Sequence, residues 1–399
     1  MQIVIHRGTH QIGGCVTSIK SGNTRIIIDI GEDLPYHDNL DKTEFEISGV
    51  TTGKADCDGV FISHYHGDHV GMFNKVLDGI PIYMGEIAHK IFLNLREHLQ
   101  DENIDAIKRF RTFSVLEKIE LDDMTVTPYR VDHSAYDSYM FLVEAEGKKI
   151  LHTGDFRTHG WTGRGLWALV DTYIKNVDVL ITEGTMLSRN DEEVLTEAGL
   201  CNKAKKIMQD NKNVFVLCSS TNFDSIASFY KAAIESNRLF VCDNYQRSTL
   251  DIVSETAKSD LYKMRKAKIY YDTREDCVED MRNRGFCMLV RANRKFEKVL
   301  ELFPDNLFIY SMWKGYLEDG PVRDENVYNF IPKDEHGNLK YLSLHTSGHA
   351  TKETIMDLCK KLQPKIIIPI HGEKPEAFKD FNLPDCDIRL LNDEEILDL

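Results

Sequence analysis

The sequence predicts an α/β protein in which a strand-rich domain is interrupted by a second α/β domain with a mostly parallel sheet. Three observations carry this expectation. The chain opens as a meander of short β-like runs, Gln2 to Ile5, Cys15 to Lys20 and Arg25 to Ile30, separated by turns at Gly13-Gly14 and Gly22-Asn23. From about Asn213 to Tyr310 the pattern becomes β then α repeatedly, which suits parallel strands with helices on both faces of their sheet. After about Tyr341 the opening style returns, and at 399 residues the chain exceeds what a single core usually sustains. The expected division is residues 1–190 and 341–399 for the outer domain, with residues 191–340 inserted.

The elements follow in order. Gly59 to Ser63 is an apolar run that breaks into a His-rich loop, and Gly85 to Gln100 carries apolar residues at helical spacing. Strands at Met140 to Glu144 and Lys149 to Leu151 flank the turn-like Glu146-Gly147, and Val177 to Thr182 reads as a buried strand. Within the insert the expected strands are Val214-Cys218, Leu239-Cys242, Lys268-Tyr271 and Cys287-Arg291. The expected helices are Phe223 to Ser236, Thr249 to Met264 and Glu275 to Arg282. Tyr341-Leu344, a helix from Thr351 to Lys361 and the strand Lys365-Ile370 complete the outer domain.

Composition bounds the function. With 42% hydrophobic and 28% charged residues the chain is a folded protein throughout. The first residues lack a basic segment followed by a long apolar one, and no apolar run is long enough to span a bilayer, so a cytoplasmic protein without a membrane partner is expected. Nine scattered cysteines with no CxxC pair read as reduced, mostly buried thiols. A net charge of −15 argues against a general nucleic-acid coat but leaves room for a local electropositive site, which bound divalent cations would create.

The chemistry concentrates in Ser63-His64-Tyr65-His66-Gly67-Asp68-His69, where three imidazoles and one carboxylate follow a strand within six positions. On extended backbone His64 and His66 point the same way, while Gly67 lets the chain turn and bring Asp68 and His69 to a neighbouring point. His133 follows a β run in Val131-Asp132-His133-Ser134, Asp155 follows another in His152-Thr153-Gly154-Asp155, and His371 follows the apolar strand Ile366 to Ile370. Taken alone, His133 and Asp155 would each more often be a turn residue or a hydrogen-bonded loop residue.

The ordered set resembles the metallo-β-lactamase superfamily, whose αββα sandwich is thereby the expected fold of the outer domain. The resemblance implies one metal bound by His64, His66 and His133, another by Asp68, His69 and His371, and Asp155 bridging both. Imidazole and carboxylate ligands suit zinc and also manganese, and a site without cysteine gives little reason to choose between them. Two such ions would activate a bridging hydroxide as nucleophile. The insert, entered after the acidic Glu183, resembles that of the β-CASP nucleases, a group that includes ribonuclease J. That resemblance implies catalytic roles for Asp68, Glu183 and His349, with Glu183 supporting His349 as phosphate binder and general acid. Ser347, together with Ser219 and Ser220 at the start of an insert helix, would hold phosphate oxygens.

The expected function is therefore metal-dependent hydrolysis of phosphodiesters in RNA, before DNA. A small-molecule ester, lactone or phosphodiester hydrolase of the same fold and an inactive nucleic-acid-binding scaffold remain as alternatives, and a homo-oligomer is left open. Bacterial ribonuclease J chains are longer, and Ser225 stands where related chains often carry Arg, which weakens the expectation of dependence on a 5′-monophosphate. Arg157 and His159 are expected on a helix or loop face, His152 behind the ligands, and Trp313-Lys314-Gly315-Tyr316 as a base-stacking or packed segment.

Overall fold

A computed structural model describes residues 1–34, 45–189, 194–271, 274–320 and 322–399. The chain divides into two compact units, one comprising Met1–Thr158, Thr162–Glu193 and Gly348–Leu399, the other His159–Trp161 and Val194–Ser347.

The first unit is built on two seven-stranded sheets. One runs in the order Ile396–Asp398, Gln2–Arg7, Val16–Ser21, Thr24–Ile28, Gly59–Ile62, Ile82–Gly85 and Arg111–Phe113. The other runs Asp387–Ile388, Ile366–Ile370, Val179–Glu183, Lys148–His152, Ser138–Ala145, Met124–Val131 and Ile119–Leu121. Alternation along each strand explains the layers. Phe141 and Val143 join Ile3, Ile5, Ile26 and Phe61 in the core between the sheets, while Met140 and Leu142 face Ile355 and Leu358 of the helix Lys352–Leu362. The helix Glu86–His98 packs on Ile82–Gly85 and Arg111–Phe113 and buries Ala88, Ile91 and Phe92. The result is an αββα sandwich.

The strand ends carry the polar loops. Gly31 lies so close to the His-rich loop that a methyl group there would sit 1.7 Å from the Asp68 carbonyl oxygen, so only glycine lets the two segments meet. Behind His133, Arg157 is fully buried and pairs with Asp132 at 2.7 Å, and Asp132 also accepts from Thr162 N and Oγ1. Arg157 thus lies in a loop, as expected, but buried, where its guanidinium ties two site-bearing loops together. Arg157→Ala leaves Asp132 buried without its counter-charge, and chemical denaturation should show a loss of about 3–5 kcal/mol. A loss below 1 kcal/mol would mean that the pair contributes little.

The second unit holds a six-stranded parallel sheet in the order Ala267–Ile269, Leu239–Cys242, Phe286–Val290, Asn213–Leu217, Leu307–Tyr310 and Leu342–Ser343. Its helices include Glu197–Asp210, Phe223–Glu235, Asn244–Thr256 and Glu275–Arg284. Two expectations are corrected here. The segment beginning at Tyr341 does not rejoin the outer domain, because Leu342–Ser343 pairs with Leu307–Tyr310 and keeps the chain in the second unit until Ser347. The helix expected at Thr249 to Met264 starts earlier, at Asn244, because Asp243 and Gln246 form a reciprocal capping box, and it ends at Thr256. Residues 159–161 also belong to this unit, since His159 O accepts from Glu197 N and Trp161 Nε1 donates to Ser228 Oγ. Within it Trp313 and Tyr316 meet edge to face with centroids 5.4 Å apart. Among the described residues no helix is long and apolar enough to cross a membrane.

Candidate metal centre

All the residues of this centre lie in the first unit. Four segments that follow strands, after Ile62, Val131, His152 and Ile370, and the helical turn Gly67–Val70, which itself holds Asp68 and His69, bring the ligating atoms together. His64 Nε2 stands 3.0 Å from His66 Nδ1, which stands 3.3 Å from His133 Nε2. On the other side His371 Nε2 lies 3.3 Å from Asp68 Oδ2, and His69 Nε2 lies 3.9 Å from the same oxygen. Asp155 joins the two groups, with its Oδ2 3.3 Å from His69 Nε2, 3.7 Å from His371 Nε2, 3.8 Å from His133 Nε2 and 3.9 Å from His64 Nε2.

Outer hydrogen bonds decide which nitrogen of each ring faces inward. Ser63 Oγ donates to Asp29 and so accepts from His64 Nδ1, while Asp29 Oδ2 accepts from His69 Nδ1 at 2.8 Å. The Gly348 carbonyl accepts from His133 Nδ1 at 2.7 Å. Thr185 Oγ1 donates to the His371 carbonyl, which leaves it to accept from His371 Nδ1 at 2.8 Å. Four rings are thereby committed as donors on their outer side, and their Nε2 lone pairs converge on two carboxylates.

Such a buried convergence of lone pairs and negative charge requires a cation. Asp155 Oδ1 and His69 Nε2 are buried without a hydrogen-bond partner, and the donor set, imidazoles with carboxylates, suits a divalent metal. The residues present fit such a group. Protonation follows the same field. Burial, with help from neighbouring imidazoles, holds His64 well below the usual imidazole range and lowers His66 to about 4, and burial likewise holds His133 low. Burial also opposes charge on His69, yet Asp155, Asp29 and Asp68 outweigh it and raise the group well above its ordinary value. His371 is raised in the same way, chiefly by Asp155 and Asp68. In the metal-free protein, protons thus gather where a cation would satisfy the carboxylates.

His349 stands beside the cluster. Its Nδ1 is 3.0 Å from Glu183 Oε2 and 3.6 Å from Asp155 Oδ2. Glu183 is fully buried at the end of Val179–Glu183, and its Oε1 accepts from Phe156 N at 3.0 Å. His152 packs behind, with Nδ1 accepting from Gly154 N and Nε2 facing Thr17 Oγ1. Ser219, Ser220 and Ser347 belong to the second unit: Ser219 Oγ bonds Thr221 Oγ1, Ser220 Oγ accepts from Gln246 Nε2, and the Ser347 carbonyl accepts from His159 Nε2. There Asn222, not a serine, caps the helix Phe223–Glu235.

Three residues here were not read from the sequence: Asp29, Thr185 and Cys15. Asp29 takes a left-handed backbone conformation, φ 60°, directly after the strand Thr24–Ile28. An acidic residue before Ile-Gly at a strand end was the available signal. Asp29→Ala should weaken metal affinity roughly 10–100-fold in a chelator competition titration. Unchanged affinity would show that His69 needs no support from Asp29.

The family described as "Beta-lactamase superfamily domain" matches residues 24–210, and "Zn-dependent metallo-hydrolase RNA specificity domain" matches residues 339–380. These matches make the chain similar to the metallo-β-lactamase superfamily and to its ribonuclease J-like members. Ribonuclease J of Helicobacter pylori is 24% identical over 395 residues, covering 92% of this chain and 55% of that protein, so the chain spans about half the length of this relative. "Probable RNase MJ4" of Methanocaldococcus jannaschii is 24% identical over 424 residues, covering 94% of each. A crystal structure of a protein of unknown function from Enterococcus faecalis V583 matches with a TM-score of 0.76 over 99% of both chains at 20% identity, a likeness of fold. The family matches and the cluster together support use of a divalent metal by this protein.

Proposed function

We propose that the protein is a metal-dependent phosphodiesterase that hydrolyses RNA, with DNA a lesser substrate. The observation that carries this reading is the pair of buried Glu183 and half-buried His349 beside Asp155, because water-driven cleavage of a simple ester needs no separate phosphate-binding imidazole. The names of the relatives, ribonucleases from a bacterium and an archaeon, point the same way.

His64, His66 and His133 would hold one divalent ion, and Asp68, His69 and His371 the other, with Asp155 shared and with zinc first and manganese second as the ion. When bound, such ions lower the pKa of a water molecule and offset the charge of the phosphate. The remaining work falls to side chains. Asp68 is 15% exposed where Asp155 is 2% exposed, so its second oxygen is the carboxylate atom open to receive a proton as water adds to phosphorus. Glu183 fixes the His349 ring through Nδ1, and Nε2 is the nitrogen that would meet the substrate. From there His349 bonds a phosphate oxygen and gives a proton to the departing ribose oxygen. Glu183 keeps its own place through Phe156 N, so the pair stays oriented without substrate.

The test is cleavage of end-labelled single-stranded RNA and DNA by zinc- or manganese-loaded protein, with 5′-phosphate and 5′-hydroxyl substrates side by side. Cleavage of RNA that stops on chelation is expected. No cleavage of either polymer, with turnover of a lactone or simple ester, would replace this reading by a small-molecule hydrolase.

A further inference from the structure

The thiol of Cys15 lies against the half of the centre formed by Asp68, His69 and His371. Its sulfur and the ligating atoms of His69 and His371 all lie within 4.8 Å of one another, and all three residues are buried. Donors on a single zinc ion sit up to about 4.4 Å apart, the sum of a zinc–sulfur and a zinc–nitrogen bond, so a shift of a few tenths of an ångström at most brings the three atoms to a shared ion. The thiol forms no disulfide.

Its position is held from both sides. Cys15 N donates to the Asp68 carbonyl at 3.0 Å, and the Cys15 carbonyl accepts from Gly31 N, which locks the residue to the loop that carries Asp68 and His69. Gly8 packs against the sulfur, and the Gly8 carbonyl accepts from His371 N at 2.7 Å, which locks the same residue to the segment that carries His371. A second observation points to a ligand: beside the sulfur, the buried His69 Nε2 has no hydrogen-bond partner, and the Asp155 carboxylate faces it at 3.3 Å.

We infer that Cys15 is an additional ligand to the ion held by Asp68, His69 and His371, which makes this half of the centre a sulfur-containing site that prefers zinc over manganese. The inference rests on the metal-binding reading of the cluster, and a sulfur ligand supplies the chemical reason for zinc before manganese. On binding, a sulfur–metal bond forms, the thiol proton passes to solvent, and no redox partner is involved. Thiolate is a soft donor and manganese a hard acceptor, so the preference follows from ligand chemistry.

The full chain, freed of metal, is titrated with cobalt(II), and the sulfur-to-cobalt charge-transfer band in the near ultraviolet is followed. Wild type and Cys359→Ser, which alters a buried thiol of the helix Lys352–Leu362, are expected to show the band. Cys15→Ser is expected to bind cobalt without it, and its preference for zinc over manganese should fall by roughly 10-fold or more. Cobalt bound to wild type with no band, or an unchanged band in Cys15→Ser, overturns the role of Cys15 and leaves the metal centre standing. Wild type that binds no cobalt overturns both. Cadmium-113 resonances of wild type need no variant: one in the sulfur-ligated range supports the inference, and resonances confined to the nitrogen–oxygen range refute it.

Discussion

Asp155→Ala is expected to lose bound metal and phosphodiester cleavage together, with the rate falling on the order of 10⁴-fold, or about 5 kcal/mol of barrier. The size follows from position. Asp155 Oδ2 lies within 3.9 Å of His64, His69, His133 and His371, so it serves both ligand groups where every other ligand serves one. Its own charge depends on the same company: burial works to protonate it, but His371, His69 and His349 hold it well below the usual carboxylate range. Removing it leaves a buried set of imidazoles with less negative charge to bind a cation. Elemental analysis of the purified variant beside wild type, with the RNA assay, checks both halves. Full metal content with lost cleavage would assign Asp155 to the chemistry alone.

His349→Ala should separate what Asp155→Ala joins. Metal content is expected to stay at the wild-type level, because His349 Nδ1 faces the Glu183 and Asp155 carboxylates and the seven ligating residues remain. RNA cleavage should fall about 10²–10⁴-fold, or about 3–5 kcal/mol, the usual contribution of a positioned general acid. A diester with a nitrophenolate leaving group needs no proton on departure, so on that substrate the loss should be much smaller. An equal loss on both substrates would leave His349 a role in binding phosphate but none in proton delivery. Retained full activity on RNA would remove it from the mechanism.

How much of this was legible depended on distance along the chain. The His64–His69 cluster could be read because four donors fall within six residues after a strand, a density with few structural explanations. His133, Asp155 and His371 became readable as an ordered set on successive strand ends, and the structure brings them to the same point. Asp29, Thr185 and Cys15 gave no comparable signal. Each is a single ordinary residue whose importance comes from a partner far away, as Thr185 meets His371 and Asp29 meets His69. The insert shows the same limit. Alternation of β and α revealed the parallel sheet, but where the chain leaves it is decided by Leu342–Ser343 adding an edge strand, a pairing that local pattern does not announce. Arg157 shows a related limit: its place in a loop could be read, but its burial could not until its partner Asp132 is known.

The central claim is that the metal-loaded cluster drives hydrolysis of RNA with water as the nucleophile, and cleavage in ¹⁸O-labelled water tests it most directly. The predicted result is a fragment whose terminal phosphate carries the label, formed by wild type and absent with Asp155→Ala. Fragments ending in an unlabelled 2′,3′-cyclic phosphate would contradict it, because they would place the attack on the ribose hydroxyl and leave the cluster without its water.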